Sequence, residues 1–305
     1  MPPLSTWLPV AGLVLLAVLL TWPVQKAMVR RHIFRREPLL ALLVWQAVAL
    51  AAVVSLLAAL PLALWVMRES LTTTPLALGV AVVAAVITAS MVVRLLLAGH
   101  QVGTSLRRTR RAHRELLELV GHEFDELDQP TPQLRVIQHP APTAYCVPGL
   151  THRVVISTGM LEQLGPPEVR AVLAHERAHV RARHDLLVEF FTVLHTAMPK
   201  PLRHEDVLAE VRLLAEVLAD RSGARTAGRL PMGRALVALA GAQHPAATLG
   251  AASDSVSAAQ VRLRLLTEDG RRDWIMVATM IGYAMLAVAT PLAVVVWVTA
   301  LSGAR

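Results

Sequence analysis

The residues best suited to chemistry in this sequence are two histidines and a glutamate in the segment His175-Glu-Arg-Ala-His179. Side chains four residues apart in an α-helix project from the same face, about one turn from each other. Two neutral imidazoles placed in this way can bind one Zn²⁺ at about 2.0–2.1 Å. Glu176 can then take a proton from a water molecule that attacks a carbonyl carbon. The segment therefore predicts one zinc ion per chain and peptide hydrolysis, with Glu176 as the catalytic base.

A catalytic zinc site needs a third protein ligand and leaves a fourth position for water. The longer pattern HExxHxxGxxH is absent, because Ala182 and Asp185 stand where Gly and His would be required. Three glutamates of the next helical region are candidates: Glu205, Glu210 and Glu216. Only Glu216 is followed one turn later by another acid, Asp220, which could accept a hydrogen bond from the outer nitrogen of a ligand histidine. We predict Glu216 as the third ligand and Asp220 as the partner of that histidine; the alternative is a solvated acidic face.

Helices must carry these residues. Two prolines at positions 166 and 167 suit the first turn of a helix, which we expect over residues 169–183 with the HExxH segment in it. Further helices are expected over residues 185–198 and 205–222, and the last of these carries Glu216 and Asp220. The stretch 243–259 is rich in small residues and is expected to form a loop.

Three β-rich runs precede the HExxH helix and predict a small sheet: residues 134–138, 143–147 and 153–157. A free sheet edge can hold an extended peptide by main-chain pairing. The candidate edge strand is the run 143–147. Together with the helices, this sheet predicts an α+β domain.

The composition points to a membrane protein. Of 305 residues, 54% are hydrophobic and 17% charged. Four uncharged stretches are long enough to cross a hydrocarbon core of about 30 Å, namely residues 4–24, 39–67, 75–93 and 274–301, and the third span is expected to extend to about residue 97. We therefore expect three transmembrane helices within residues 1–99, a zinc metallopeptidase domain over 100–273, and a fourth span with a short tail over 274–305. A disulfide-stabilised secreted domain is excluded, because Cys146 is the only cysteine.

The net charge of +8 is concentrated beside the predicted spans, in the patches 26–36 and 107–114. Juxtamembrane basic patches are typical of the cytoplasmic side and of contact with anionic lipid, so we expect no direct binding of nucleic acid. Both patches lie on the same side if each span crosses once. We therefore predict a multi-pass protein of the cell membrane, with the catalytic domain in the cytoplasm and both termini outside.

The pattern of HExxH followed by Glu216-Val-Leu-Ala-Asp220 resembles that of gluzincin metallopeptidases. With three predicted spans before the catalytic insert and one after it, the chain resembles the BlaR/MecR family of membrane-embedded zinc metallopeptidases. The segments 144–149 and 154–159 are similar to the sheet of that family. The penicillin-binding sensor domain that follows in that family is not expected here. HtpX/Ste24 peptidases share the motif but usually place two spans before it and two after.

The resemblance implies an endopeptidase whose substrate is a cytoplasmic protein, plausibly a BlaI-like DNA-binding repressor, in signal transduction. Two alternatives stay open: membrane-protein quality control by an HtpX-like protease, and a signalling scaffold without catalysis. His184, His195 and His244 could each donate to an oxyanion, although a structural role is expected for each. The sequence does not define the oligomeric state.

Overall fold

The structure is a computed structural model that describes residues 8–67, 75–120, 122–123, 134–147, 153–242, 249–268 and 273–303. In chain order the helices are α1 (Leu8–Thr21), α2 (Pro23–Arg30), α3 (Pro38–Met67), α4 (Pro75–Val120), α5 (Thr158–Gln163), α6 (Pro166–Ala182), α7 (His184–Ala197), α8 (Glu205–Ala227), α9 (Arg229–Ala242), α10 (Leu249–Thr267) and α11 (Trp274–Gly303). The strands are β1 (His122–Glu123), β2 (Leu134–Ile137), β3 (Ala144–Val147) and β4 (Arg153–Ser157).

The chain divides into two compact units. The first comprises Met1–Gly99, Val193–Glu210 and Arg271–Arg305, and the second comprises His100–Thr192 and Val211–Gly270. Helices α1, α3 and α11 belong to the first unit, α4 begins in the first unit and continues into the second, and the HExxH helix α6 belongs to the second. Each unit has a hydrophobic core of its own.

Four stretches of the described residues are long and apolar enough to cross a membrane: Leu8–Arg30, Pro38–Trp65, Ala81–Ala112 and Trp274–Ala300. This confirms the prediction of four apolar helices. Within the first unit, α3 packs against both α1 and α11. The buried contact between these three helices is apolar and is formed by Leu13, Ala59, Leu62 and Val298.

Charged side chains hold the segment 193–210 within the first unit. The Arg35 guanidinium donates to both carboxylate oxygens of Glu210, at 2.8 and 2.6 Å. Arg94 donates to the carbonyl oxygens of Ala197 and Met198, at 2.6 and 3.0 Å. These carbonyls lie at the C-terminal end of α7, where the helix itself supplies no donor. The guanidinium of Arg94 therefore supplies the hydrogen-bond donors that the last carbonyl groups of α7 lack.

The second unit contains a four-stranded sheet of order β1-β2-β4-β3. Strand β2 is parallel to β4, and β3 is antiparallel to β4 with Cys146 opposite Val154. The three β-rich runs predicted from the sequence form β2, β3 and β4. One face of the sheet packs on α6 in a buried cluster that includes Leu134, Val136, Val154, Ile156, Val172 and Leu173.

The expectation of a loop over residues 243–259 was wrong, because α10 begins at Leu249. Its small residues are largely alanines, which have the highest helix propensity. Leu266, near the end of α10, is buried against Ala171 of α6 and Met232 of α9. Packing of this end, rather than an amphipathic pattern over the whole segment, therefore stabilises the helix.

Helix α8 approaches α6 closely at Gly223. A Cβ atom there would lie 2.8 Å from the carbonyl oxygen of Ala171 and would also overlap Sδ of Met232. Such contacts would force the two helices apart. The glycine therefore allows α8 to pass close to α6, three residues after Asp220.

Candidate metal centre

Helix α6 carries the HExxH residues. It begins after Gly165 with Pro166 and Pro167 in its first turn, as predicted. Its apolar side chains pack against the sheet. His175 and Glu176 are nevertheless buried, with 7% and 9% of their surfaces exposed. Burial of a polar side chain costs free energy unless the side chain finds a hydrogen-bonding partner. The burial of His175 and Glu176 therefore indicates that both have partners within the protein.

Helix α8 brings Glu216 to both histidines. The Nε2 atoms of His175 and His179 lie 3.1 Å apart. One Glu216 oxygen, Oε1, is 3.3 Å from Nε2 of His179, and the other, Oε2, is 3.5 Å from Nε2 of His175. The structure therefore brings together the three residues predicted as ligands.

These donor atoms fit a zinc ion. Four ligands in tetrahedral arrangement at about 2.0–2.1 Å from the metal are about 3.3 Å from one another. The two Nε2 atoms, 3.1 Å apart, are close to that separation, and one nitrogen from each histidine and one Glu216 oxygen lie within 4.8 Å of one another. Two imidazole nitrogens and a carboxylate oxygen also form a donor set that zinc prefers. These residues could hold the metal and leave one position open.

Asp220 lies behind the first histidine. Its Oδ1 atom is 2.9 Å from Nδ1 of His175, and only 1% of its surface is exposed. An Nδ1–H group that donates to this carboxylate leaves the lone pair of Nε2 free for a metal ion. Asp220 therefore lies where its predicted role requires.

Arg262 of α10 is a further member of the site that sequence reasoning missed. Its guanidinium donates to both oxygens of Asp220, each at 2.7 Å. Its Nη1 atom is also 3.0 Å from Oε2 of Glu216. One cation thus binds both carboxylates of the ExxxD segment. No local spacing signals this contact, because Arg262 is 42 residues from Asp220.

The charges in the site shift the pKa values of its members. Burial opposes protonation of His175, but contacts with Asp220 and Glu216 outweigh it and raise the pKa of His175 to about 9. Burial also opposes ionisation of Glu216, but its hydrogen bond with His175 and the charge of Arg262 lower its pKa to about 2. Glu216 is therefore a carboxylate at neutral pH, and a metal that binds Nε2 of His175 displaces a proton.

Glu176 lies beside strand β3. Burial raises the pKa of its carboxyl group, and the positive charge of His175 and a hydrogen bond from the Cys146 amide partly oppose this shift. The amide hydrogen bond fixes the carboxylate against the strand. Because its pKa is raised, Glu176 binds a proton more readily than an exposed glutamate does.

A cavity of about 580 Å³ opens over these residues. Its polar lining includes His175, Glu176, His179, His184 and Glu216. Of the three histidines with undefined roles, His184 thus lies at the site. His195 instead pairs with Glu205 in the first unit, with 3.1 Å between Nε2 and Oε1. His244 lies outside the described residues.

Comparison with known proteins agrees with this chemistry. The profile of Peptidase family M48 matches residues 106–260, slightly more than half of the chain. The chain therefore belongs to peptidase family M48, whose members are zinc-dependent metallopeptidases. Membership in this family agrees with the predicted enzyme class and the predicted metal.

Several curated proteins are similar to part of the chain. A protein named plastoglobule-localized metallopeptidase 48, chloroplastic, from Arabidopsis thaliana is 32% identical over 95 residues, covering 30% of this chain and 28% of that protein. A protease HtpX homolog of Neisseria meningitidis is 32% identical over 95 residues, covering 30% of this chain and 34% of the relative. The protease HtpX homolog 2 of Methanosarcina acetivorans is 38% identical over 58 residues, 18% of this chain and 20% of the relative.

The matched segments span about a third or less of the length of these relatives. No solved structure matches the chain. The supported description is a membrane metallopeptidase of family M48 with HtpX-like relatives. The finer resemblance to the BlaR/MecR type stays a prediction.

The contacts of Arg262 predict its effect on metal binding. Replacing Arg262 by Gln should weaken zinc binding about 10- to 100-fold, because Asp220 loses the partner that holds it against His175. It should also destabilise the fold by about 3–5 kcal/mol, because two neighbouring carboxylates, one of them buried, lose the cation that pairs with both. Arg262→Lys should have an intermediate effect, because an ammonium group cannot bind both oxygens in the same planar geometry.

Zinc affinity by chelator competition and thermal unfolding of the purified protein measure both effects. Arg264→Gln is the matched control on the same helix, since the Arg264 side chain is 81% exposed and pairs with Glu268. Equal zinc affinity in Arg262→Gln and Arg264→Gln would show that Arg262 has no part in the site.

Proposed function

We propose that this chain is a zinc-dependent endopeptidase of the membrane, in which His175, His179 and Glu216 hold the metal ion and Glu176 is the general base. The observation that carries the proposal is the convergence of three ligand atoms within 4.8 Å of one another, beside a buried glutamate at a cavity. Zinc, when bound, would supply a Lewis acid that polarises a peptide carbonyl and lowers the pKa of water. Asp220 holds the His175 ring in the ligand orientation.

The protein's own residues account for the proton transfers. The Glu176 carboxylate takes a proton from the attacking water and delivers it to the amine nitrogen as the peptide C–N bond breaks. Its raised pKa favours the first transfer. The Cys146 amide keeps the carboxylate in one position through both transfers, so that a single group can serve as base and then as acid.

The edge of strand β3 that faces away from β4 is evidence for a peptide substrate. Within the described sheet, β3 pairs with β4 on one side alone. The Ser157 amide donates to the Thr143 carbonyl oxygen at 3.0 Å, so alternate residues 143, 145 and 147 direct their main-chain groups towards β4. Ala144 and Cys146 therefore direct theirs to the free edge. An extended substrate could pair with Ala144 while its scissile carbonyl group lies at the proposed metal site, within reach of the water that Glu176 deprotonates.

The cavity also favours a particular class of side chain. Part of its lining is apolar and comes from α9 and α10: Met232, Leu236, Leu239, Ala240, Ala258 and Ala259. The α9 residues recur at helical spacing and form one continuous face. Such a lining favours substrates with an apolar side chain next to the scissile bond.

An HtpX-like role in membrane-protein quality control is the physiological function that we favour, because the named relatives include HtpX homologues. The second candidate is cleavage of a cytoplasmic DNA-binding repressor by a BlaR/MecR-type peptidase. The order of the apolar helices favours it, with three candidate spans before α6 and one after. A gene for a small winged-helix repressor beside this gene would support the second candidate.

We also propose that the catalytic domain, residues 100–273, faces the cytoplasm and that both termini lie outside. The support is the placement of basic residues, with the two patches 26–36 and 107–114 on one predicted side. Arg35, from the first patch, is paired with Glu210 and so does not contribute a free charge to lipid contact. Arg110 and Arg111 of the second patch also contact carboxylates, so the proposal rests on the number of basic residues beside the spans and not on unpaired charge.

The roles of the HExxH residues can be separated by experiment. Glu176→Gln should keep zinc but lose about 10²- to 10⁴-fold in kcat, because it removes the general base and no ligand. His175→Ala and His179→Ala should lose most of the metal. The measurements are metal analysis and cleavage of quenched peptides that carry either Leu or Asp beside the scissile bond, and the Leu peptides should be cleaved faster.

Glu162→Gln, at an exposed position on α5, is the control for the loss of a carboxylate. Loss of zinc in Glu176→Gln together with its retention in Glu216→Gln would reverse the roles proposed here. Absence of peptide cleavage by the zinc-loaded wild-type protein would exclude the proposed activity.

The register of β3 predicts a position at which proline should disturb the substrate and leave the fold intact. Ala144→Pro removes an amide hydrogen from the free edge, whereas Tyr145→Pro removes one that faces β4. We expect Ala144→Pro to raise KM at least tenfold with little change in thermal stability. Tyr145→Pro should instead lower stability. Unchanged peptide kinetics in a folded Ala144→Pro variant would exclude docking at this edge.

Sidedness is testable by cysteine labelling in a Cys146→Ser background. Glu162→Cys lies at an exposed position of the second unit and should react with a membrane-impermeant maleimide only after the cells are permeabilised. Thr72→Cys, in the short segment between the second and third spans, should react in intact cells. The opposite pattern would place the catalytic domain outside and exclude a cytoplasmic substrate.

A further inference from the structure

His184 is a buried residue of the metal centre for which the chemistry above has no use. It is 4% exposed and lines the cavity. Its Nδ1 atom is 2.9 Å from Nδ1 of His179. The two rings meet edge to face, with centroids 4.7 Å apart and an interplanar angle of 87°. The contact joins the outer nitrogen of one proposed ligand to a second imidazole.

The protonation of this pair follows from metal binding. A neutral histidine that binds a metal through Nε2 carries its hydrogen on Nδ1. The Nδ1–H group of His179 must therefore donate, and Nδ1 of His184 must accept. A neutral His184 then carries its own hydrogen on Nε2. The two proposed histidine ligands thus differ, because His175 donates to the Asp220 carboxylate and His179 donates to a neutral imidazole.

The chain is bent locally to make this contact. Residues five apart in a continuous helix point about 140° away from each other, since each residue turns the helix by about 100°. Helix α6 instead ends at Ala182, and Arg183 adopts the left-handed conformation with φ 50° and ψ 46°. Within the described residues, it is the single residue other than glycine with positive φ. This turn brings His184 back to His179.

The surroundings of the other ring nitrogen, Nε2, indicate that His184 is not present only to stabilise the fold. Nε2 is buried and has no hydrogen-bond partner among the described residues. A buried donor without an acceptor destabilises a fold, and an apolar side chain of similar size would avoid that cost. A histidine at this position is therefore better explained by its contact with His179.

We propose that His184 is a positioning residue that fixes the tautomer and orientation of His179, as Asp220 does for His175. The inference rests on the proposed function, because it takes His179 as a zinc ligand. The group required is an acceptor at the position of Nδ1. An asparagine places its side-chain oxygen at a similar distance from the backbone and can replace that acceptor, whereas leucine cannot.

The test is zinc affinity of the purified full-length protein, measured by competition with a chromophoric chelator. We expect His184→Leu to weaken zinc binding about 10- to 100-fold. His184→Asn should stay within about threefold of wild type, because the acceptor is retained. The visible spectrum of the Co²⁺-substituted protein should change in His184→Leu and be preserved in His184→Asn.

Thermal unfolding of the metal-free protein separates positioning from a structural role. His184→Leu should keep or raise the unfolding temperature, since it removes an unpaired buried donor, while its zinc affinity falls. Arg183→Gly is the matched control for the turn and should preserve zinc affinity, because glycine adopts positive φ readily. Unchanged zinc affinity in His184→Leu would overturn the proposal, as would equal loss of affinity in the Leu and Asn variants.

The outcome for His179 distinguishes failure of this inference from failure of the proposed function. If His179→Ala loses zinc but His184→Leu does not, the proposed metal site is supported and the role of His184 is refuted. If His179→Ala binds zinc as wild type does, His179 is not a ligand, and both proposals fall.

Discussion

The pairing of Arg262 with Asp220 and Glu216 is the interaction on which the arrangement of the site depends. Two carboxylates and two imidazoles lie within a few ångströms of one another, and mutual repulsion of the carboxylates would oppose their burial. The guanidinium neutralises them, and it contacts the same two oxygens that His175 approaches, Oδ1 of Asp220 and Oε2 of Glu216. It also joins α10 to α8, so the same contact that balances charge fixes the helix that carries Glu216. The metal position is thereby enclosed by groups that are already held in place.

The parts of the site that the sequence predicted are those that depend on local spacing. His175 and His179 share a face because both lie on α6, and Glu216 and Asp220 share a face of α8 for the same reason. Arg262 and His184 could not be assigned in this way. The first meets its partners across 42 residues, and the second reaches His179 only because the helix breaks at Arg183. Alanine-rich α10 was missed because its pattern gives no amphipathic signal before packing is known.

The three glutamates that competed for the role of third ligand differ in their surroundings more than in their sequence context. Glu205 pairs with His195, and Glu210 forms a bidentate pair with Arg35. Both belong to the first unit, whereas Glu216 belongs to the second. One helix thus carries acidic residues for two different purposes. Residues 205–210 contribute to the unit that contains the apolar helices, and the following turns contribute to the metal centre.

The free edge of β3 has a consequence for what such an enzyme can recognise. Main-chain pairing along a strand requires a partner that is itself extended, and a helix or a closed sheet cannot offer one. If a substrate pairs with this edge as proposed, a folded protein would bind only after it opens locally, and its rate of cleavage would follow the population of the open form. A segment that costs about 4 kcal/mol to open would be cleaved about a thousandfold more slowly than the same segment unfolded. Docking of this kind would select substrates by their local stability, so that damaged segments would be cleaved before intact ones.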